Sequence, residues 1–424
     1  MSKPVSVIIV GGGSRGNAYA SYLTRHPGAF EIVGLCEKKD DRRAWFARTH
    51  AVPDENCFSD WKALLSRPRL ADAAFICTVE DLHRDIAVAL AAKGYHLLLE
   101  KPMAPTQEAC VDIYRAAREH GIILAVCHVL RYTTFFNRIK QLIDAGAIGT
   151  LRNITATEYV GPWHFTHSFV RGNFRNEKES SNFLLAKCCH DIDLLNWFAG
   201  SRCKKTASFG RLDFFNRAHQ PKGAADRCTE CPAEIESACP YSALKIYLRD
   251  RLDRLHAWPV AMLTLDATPA GVAKALREGP YGRCAFACDN DVVDHQVVNL
   301  DFENGMTASF TTTAFAIGSR DYFFMGDKGT LRLNDNGLEQ FDFLTFKAKK
   351  VDMNVGDGTT NSGHGGGDDG VVASFLEAVQ NGNPEAVKTG PAASLESHLI
   401  VFATERARKN GSVESVPAVA DLVK

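Results

Sequence analysis

The sequence predicts an α/β protein: an N-terminal Rossmann dinucleotide-binding domain, then a C-terminal α+β domain with a large, mostly antiparallel open sheet. Three observations predict it. Strand and helix patterns alternate from residue 5 to residue 127, as parallel βαβ units require. The motif Gly11-Gly12-Gly13-Ser14-Arg15-Gly16 falls between the first strand and the first helix. From residue 293 the pattern becomes one of successive strands, the first two joined by the hairpin signal Glu303-Asn304-Gly305.

In chain order, the apolar run 5–10 reads as a strand and 17–26 as a helix. Strands follow at 31–36, 73–78, 96–99 and 122–127, with helices at 40–49, 83–93 and 107–120. These place the Rossmann domain at residues 1–127. Residues 128–424 form the substrate-binding and oligomerisation domain. It opens with a helix at 134–145 and a strand at 153–158, and carries a strong helix at 182–199. A Cys-, Arg- and Pro-rich insertion at about 203–290 contains one helical piece near 242–255. Strands at 293–302, 305–314, 322–325 and 330–333, a glycine-rich loop at 362–370, and helices at 371–380 and 393–409 complete the chain.

A length of 424 residues, with 45% apolar and 23% charged residues, is ample for two soluble domains. A net charge of -1 supplies no overall attraction to nucleic acid or anionic membrane. The first apolar run is too short for a signal peptide or a membrane span, so a cytoplasmic location is expected. Thiols stay reduced there, and the thirteen cysteines argue against a disulfide framework.

In the glycine motif, Gly11 permits the tight turn, Gly13 lets the backbone approach a pyrophosphate, and Gly16 lets helix and strand pack closely. Ser14 and Arg15 open the helix, whose free N–H groups face the phosphates. Glu37 ends the second strand, where an acid grips the ribose hydroxyls and favours NAD. Lys38, Lys39, Arg42 and Arg43 lie close by and leave NADP open, although a solvated helix start explains them too.

Two further segments, Cys77-Thr78-Val79-Glu80-Asp81-Leu82-His83 and Gly94-Tyr95-His96-Leu97-Leu98-Leu99-Glu100-Lys101-Pro102, complete a pattern that resembles the Gfo/Idh/MocA oxidoreductases (glucose–fructose oxidoreductase, inositol dehydrogenase and relatives). Arg131-Tyr132, Gly146-Ala147-Ile148-Gly149 and residues 187–197 extend the resemblance. It implies NAD(P)-dependent chemistry on a sugar or polyol carbon, and a homo-oligomer, dimer or tetramer, assembled through the open sheet. It also implies that Lys101 reaches both nicotinamide and substrate, with Thr78, His83, Glu100 and Pro102 on the cofactor side. A lysine held at the end of a strand can hydrogen-bond a reacting hydroxyl and relay its proton. His83 reads equally well as a helix-capping or core histidine.

The second catalytic segment is Lys187-Cys188-Cys189-His190-Asp191-Ile192-Asp193. On an unbroken helix Lys187, His190 and Asp193 share one polar row, and a histidine between those charges suits acid–base work. The resemblance places a catalytic histidine at His190. Many dehydrogenases of that family carry an aspartate four residues earlier, where this chain has Ala186. Lys187 either substitutes as a substrate clamp or marks different chemistry, and a helix salt bridge with Asp193 is the simpler alternative. Substrate contacts are assigned to Arg131, Tyr132, Asp191 and the aromatic loop 160–172, through Trp163, His164, His167 and Arg171.

Cys228-x2-Cys231-x7-Cys239 has spacing suited to a structural zinc, with Cys203, His219, Cys284 and Cys288 open as the fourth ligand. Free reduced thiols are the rival reading. Three functions follow from the whole sequence. The first is a sugar or polyol dehydrogenase using Lys101 and His190. The second is a redox-neutral, NAD-dependent glycosidase or lyase that oxidises its substrate transiently. The third is a non-catalytic nucleotide sensor, which retention of both Lys101 and His190 disfavours.

Overall fold

The structure, a computed structural model, describes residues 4–353 and 364–423. Strands β1 (Val5–Val10), β2 (Phe30–Cys36), β3 (Cys57–Phe58), β4 (Ala73–Ile76), β5 (His96–Leu99) and β6 (Leu124–Val126) form a parallel sheet in the order β3-β2-β1-β4-β5-β6. Ala73, Ala74, Phe75 and Ile76 are all buried, as a strand covered on both faces requires. The order reverses between β1 and β4, so the loops after Val10, Ile76 and Leu99 flank one crevice at the carboxyl ends of the strands.

The second sheet contains β7 (Leu151–Tyr159), β8 (Cys203–Arg211), β9 (His295–Phe302), β10 (Thr307–Thr313), β11 (Ser319–Gly326), β12 (Gly329–Asn334), β13 (Gly337–Asp342), β14 (Lys347–Lys350) and β15 (Val413–Ser415). Its order is β14-β13-β12-β11-β7-β10-β9-β8-β15, and only β7 and β10 run parallel. Burial alternates along β9 and β10, so one face is covered. Val298, Leu300, Ala308 and Phe310 of that face share a core with Leu194, Leu195, Leu399 and Ile400.

The expected fold class holds, and several details differ from the sequence reading. Residues 203–211 form strand β8, so the insertion begins after Arg211. It contains an amphipathic helix, Pro269–Glu278, that the reading passed over. Strands β13 and β14 extend the sheet beyond the four strands expected after residue 293. The helix expected at 182–199 is interrupted: Phe183–Ala186 and Cys189–Ala199 are separate, with Lys187 and Cys188 between them. Finally, helix Gly367–Asn381 packs on the Rossmann sheet, where Val371, Val372 and Phe375 join Val7, Ile9 and Phe75 in one core. Arg15 with Asp368, and Arg25 with Asp369, tie that helix to the N-terminal region. Among the described residues no helix is long and apolar enough to cross a membrane.

Candidate active site

The glycine loop is built by close backbone approach. Gly11 has φ +101°, and a Cβ there would lie 2.6 Å from the Cys77 carbonyl oxygen. A Cβ on Gly16 would lie 2.1 Å from the Gly11 oxygen, so that position admits no side chain. At Gly13 a Cβ would meet only Arg42 Nη1, in ordinary contact at 3.6 Å. Helix Ser14–Ala20 starts directly on this residue. Glu37 is fixed at the loop, its carboxylate accepting from Gly12 N and Lys39 N, each at 2.9 Å.

Thr78 Oγ1 on the neighbouring loop is buried without a hydrogen-bond partner among the described residues. An orphaned hydroxyl costs free energy unless a ligand satisfies it. The Gly13 backbone at the start of helix Ser14–Ala20, the fixed Glu37 carboxylate and this hydroxyl therefore fit a dinucleotide. His83 braces the same region from behind, its ring nitrogens lying 2.9 Å from Pro102 O and 3.2 Å from Thr78 O. Arg15, expected on the cofactor, turns inward instead. It donates to Glu100 at 2.6 Å, to Asp368 at 2.8 and 3.0 Å, and to Tyr19 at 2.6 Å. Burial works to raise the Glu100 pKa, but Arg15 and Lys101 outweigh it and hold the carboxyl below its ordinary value. Glu100 is thus a buried anchor for the strand end that presents Lys101.

Lys101 precedes Pro102 across a cis peptide bond. Its Nζ donates to the Ala186 carbonyl at 2.7 Å. The interruption at Lys187 and Cys188 leaves that carbonyl available to the lysine. His190, one turn further on, is buried, and its Nδ1 has no partner among the described residues. Burial pushes its pKa well below the ordinary value, and the charge of Lys101 adds to the effect. The ring is therefore a neutral imidazole at neutral pH. His128 and His364 lie at ring-centroid distances of 5.9 and 6.1 Å, and His364 is hydrogen-bonded to Asp368 at 3.0 Å.

A second polar group sits beside this pair. Lys187 Nζ is 3.1 Å from Glu158, and Arg320 Nε reaches both Glu158 at 2.7 Å and Asp191 at 2.8 Å. Tyr322 also donates to Asp191 at 2.8 Å. Glu158 and Arg320 come from β7 and β11, and sequence reasoning missed both. Their alternating strand patterns were legible, but pairing across the sheet is not a local signal. Asp191 is thus a holder of Arg320. His164 lies near the cluster, its pKa driven well below the ordinary value by burial and then by the charge of Lys187.

Several expected site residues are placed elsewhere. Lys187, His190 and Asp193 do not share a row, because the helix is interrupted after Ala186. Asp193 is buried in a bidentate pair with Arg131, at 2.6 and 2.7 Å, and also accepts from Ser397. That pair fixes helix Cys189–Ala199 and leaves neither residue for substrate. Tyr132 bonds Thr389 at 2.9 Å. His167 stacks on Tyr281 and lies 3.0 Å from the Tyr247 hydroxyl, and Arg171 donates to Arg283 O and Tyr241 O at 2.7 Å each. Both anchor the insertion. Among the described residues no group of three or more His, Cys, Asp or Glu side chains could hold a metal ion. The zinc expected on Cys228, Cys231 and Cys239 has no support from this geometry. Cys228 Sγ instead accepts from Ala243 N at 3.3 Å and from Arg171 Nη2 at 3.8 Å.

With this geometry in view, a family described as "Oxidoreductase family, NAD-binding Rossmann fold" matches residues 5–128, and its companion, "C-terminal alpha/beta domain", matches residues 140–415. The chain belongs to the Gfo/Idh/MocA oxidoreductase family. It is similar to levoglucosan dehydrogenase of Pseudarthrobacter phenanthrenivorans, 28% identical over 46% of this chain and 51% of that protein. It is also similar to the putative oxidoreductase YteT of Bacillus subtilis, 23% identical over 80% of each chain. The alignment with the uncharacterized oxidoreductase YrbE of the same organism spans 58% of that protein, so the chain spans little more than half of two of these relatives. Among solved structures, levoglucosan dehydrogenase with NADH aligns over 98% of this chain and 100% of that one, with a TM-score of 0.70 and 19% identity. An Agrobacterium radiobacter oxidoreductase in complex with NAD+, L-tartaric acid and magnesium aligns over 98% and 99%, with a TM-score of 0.69 and 15% identity. These structural likenesses concern the fold.

Proposed function

We propose that this chain oxidises a CH–OH group of a sugar, polyol or glycoside, using Lys101 and His190 as its proton-handling pair. The observation that carries the reading is the juxtaposition of Lys101 Nζ, tethered to Ala186 O at 2.7 Å, with a buried neutral His190 whose Nδ1 lacks a partner among the described residues. Gly11, Gly13, Gly16, Glu37 and Thr78 would hold the dinucleotide, and bound NAD supplies the hydride acceptor. Glu37 favours NAD over NADP, because its carboxylate already occupies the ribose end of the loop.

The substrate hydroxyl donates its proton to neutral His190, and the positive charge of Lys101 stabilises the developing alkoxide. Lys187, held by Glu158, offers further hydrogen-bond donors to neighbouring hydroxyls. The name of one relative, levoglucosan dehydrogenase, supports a carbohydrate substrate. The open sheet exposes Phe209 and the adjacent Val297, which supports assembly into a homo-oligomer.

A panel of sugars, polyols and aryl glycosides incubated with NAD tests the reading. NADH accumulating with at least one member is the expected result. Aglycone release with no net NADH would overturn net oxidation in favour of a redox-neutral cycle.

A further inference from the structure

The insertion between Arg211 and His295 has a small core of its own. Tyr247, Leu255, Val260, Val272 and Leu276 form it, and Trp163 of the main domain packs against it. Arg171 and His167 fasten the insertion from beneath, so its position relative to the catalytic cluster is fixed. Trp258 belongs to the same segment but is left 44% exposed. Its indole lies 5.2 Å from the Trp163 ring and 5.0 Å from the His164 ring, the latter at 81°. The Arg251 guanidinium sits 4.7 Å from the Trp163 ring centroid, which helps hold that indole in place.

A lone exposed aromatic needs no explanation. This one is continuous with Trp163 and His164 of helix Pro162–Phe165, which directly follows the end of β7, where Glu158 holds Lys187 and Arg320. Rigid aromatic faces present a negative quadrupole, and the C–H-bearing face of a pyranose is complementary to it. Such faces beside hydrogen-bonding groups make a site that is partly apolar and partly polar, as ligand sites generally are.

We propose that Trp258, with Trp163 and His164, forms an outer subsite for a second sugar ring, so that the preferred substrate is a disaccharide or longer glycoside. The inference rests on the carbohydrate reading above and adds a specificity-determining residue supplied by the insertion. Trp258 touches the distal ring and takes no part in proton transfer, so its loss acts on binding.

Calorimetric titration of the NADH-loaded full chain with monosaccharides and with disaccharides built from them tests this. At least one disaccharide is expected to bind about tenfold tighter than its component monosaccharide. Trp258→Ala should erase that margin while leaving monosaccharide affinity within about twofold, and Trp258→Phe should restore most of it, with unchanged thermal melting in both variants. Equal affinity for both sizes in the wild-type protein would overturn the proposal, as would a margin that survives Trp258→Ala. Binding of neither size would overturn the carbohydrate reading and the subsite together, which separates that failure from failure of the subsite alone.

Discussion

At the scale of single residues, the site depends on which groups are satisfied by the protein and which are left for a ligand. Asp193, Arg131, Asp191 and Glu100 have their hydrogen bonds filled by neighbouring side chains. Thr78 Oγ1 and His190 Nδ1 do not. The direction of the His190 shift yields a pH prediction. A histidine with its ordinary pKa, about 6.5, would lose basic form as pH falls through 6.5. His190 is held well below that value by burial first and Lys101 second, so it stays neutral through this range. The pH profile of kcat/KM should therefore show no acid limb attributable to a histidine near 6.5, and His190→Ala should lower kcat by about 10²–10⁴-fold. An acid limb at that position, abolished by the substitution, would contradict the lowered pKa of His190 while keeping it as the base.

At the scale of elements, the decisive feature is the interruption at Lys187 and Cys188. The glycine loop, Glu37 and Glu100-Lys101-Pro102 were legible because each lies in one βα unit with strong periodicity. The interruption was not, since residues 182–199 keep an apolar pattern throughout and carry neither Pro nor Gly to punctuate it. The same blindness assigned Asp193 to catalysis. The structure makes it the partner of Arg131, and breaking a buried pair leaves an uncompensated charge. Asp193→Ala should thus lower unfolding free energy by about 3–5 kcal/mol in denaturant titrations, with kcat per folded molecule reduced much less than by Lys101→Met. A stable variant that has lost turnover would return Asp193 to the chemistry. Glu158 and Arg320 were hidden for another reason: they meet only through the pairing of β7 with β11.

At the scale of the whole molecule, the two halves of the chain are interleaved. Helix Gly367–Asn381, read from sequence as part of the second domain, completes one face of the Rossmann core against Val7, Ile9 and Phe75. A fragment of residues 1–127 would expose that face. It should aggregate or unfold without cooperativity on heating, whereas a soluble monomer with a sharp transition would contradict the packing. The sequence pattern could not reveal this docking, because an amphipathic helix does not state which sheet it covers. The same assembly brings Asp368 to Arg15 and His364 beside His190, so the cofactor loop and the acid–base pair are held by a segment from the far end of the chain.

The central claim is net hydride transfer to a nicotinamide beside Lys101. Mass spectrometry of the cofactor after turnover of a substrate deuterated at the reacting carbon tests it most directly. Deuterium-labelled NADH is expected to accumulate in step with the oxidised product, with no label in the cofactor for Lys101→Met. Substrate consumed by the wild-type protein while the cofactor ends unlabelled and oxidised would contradict it.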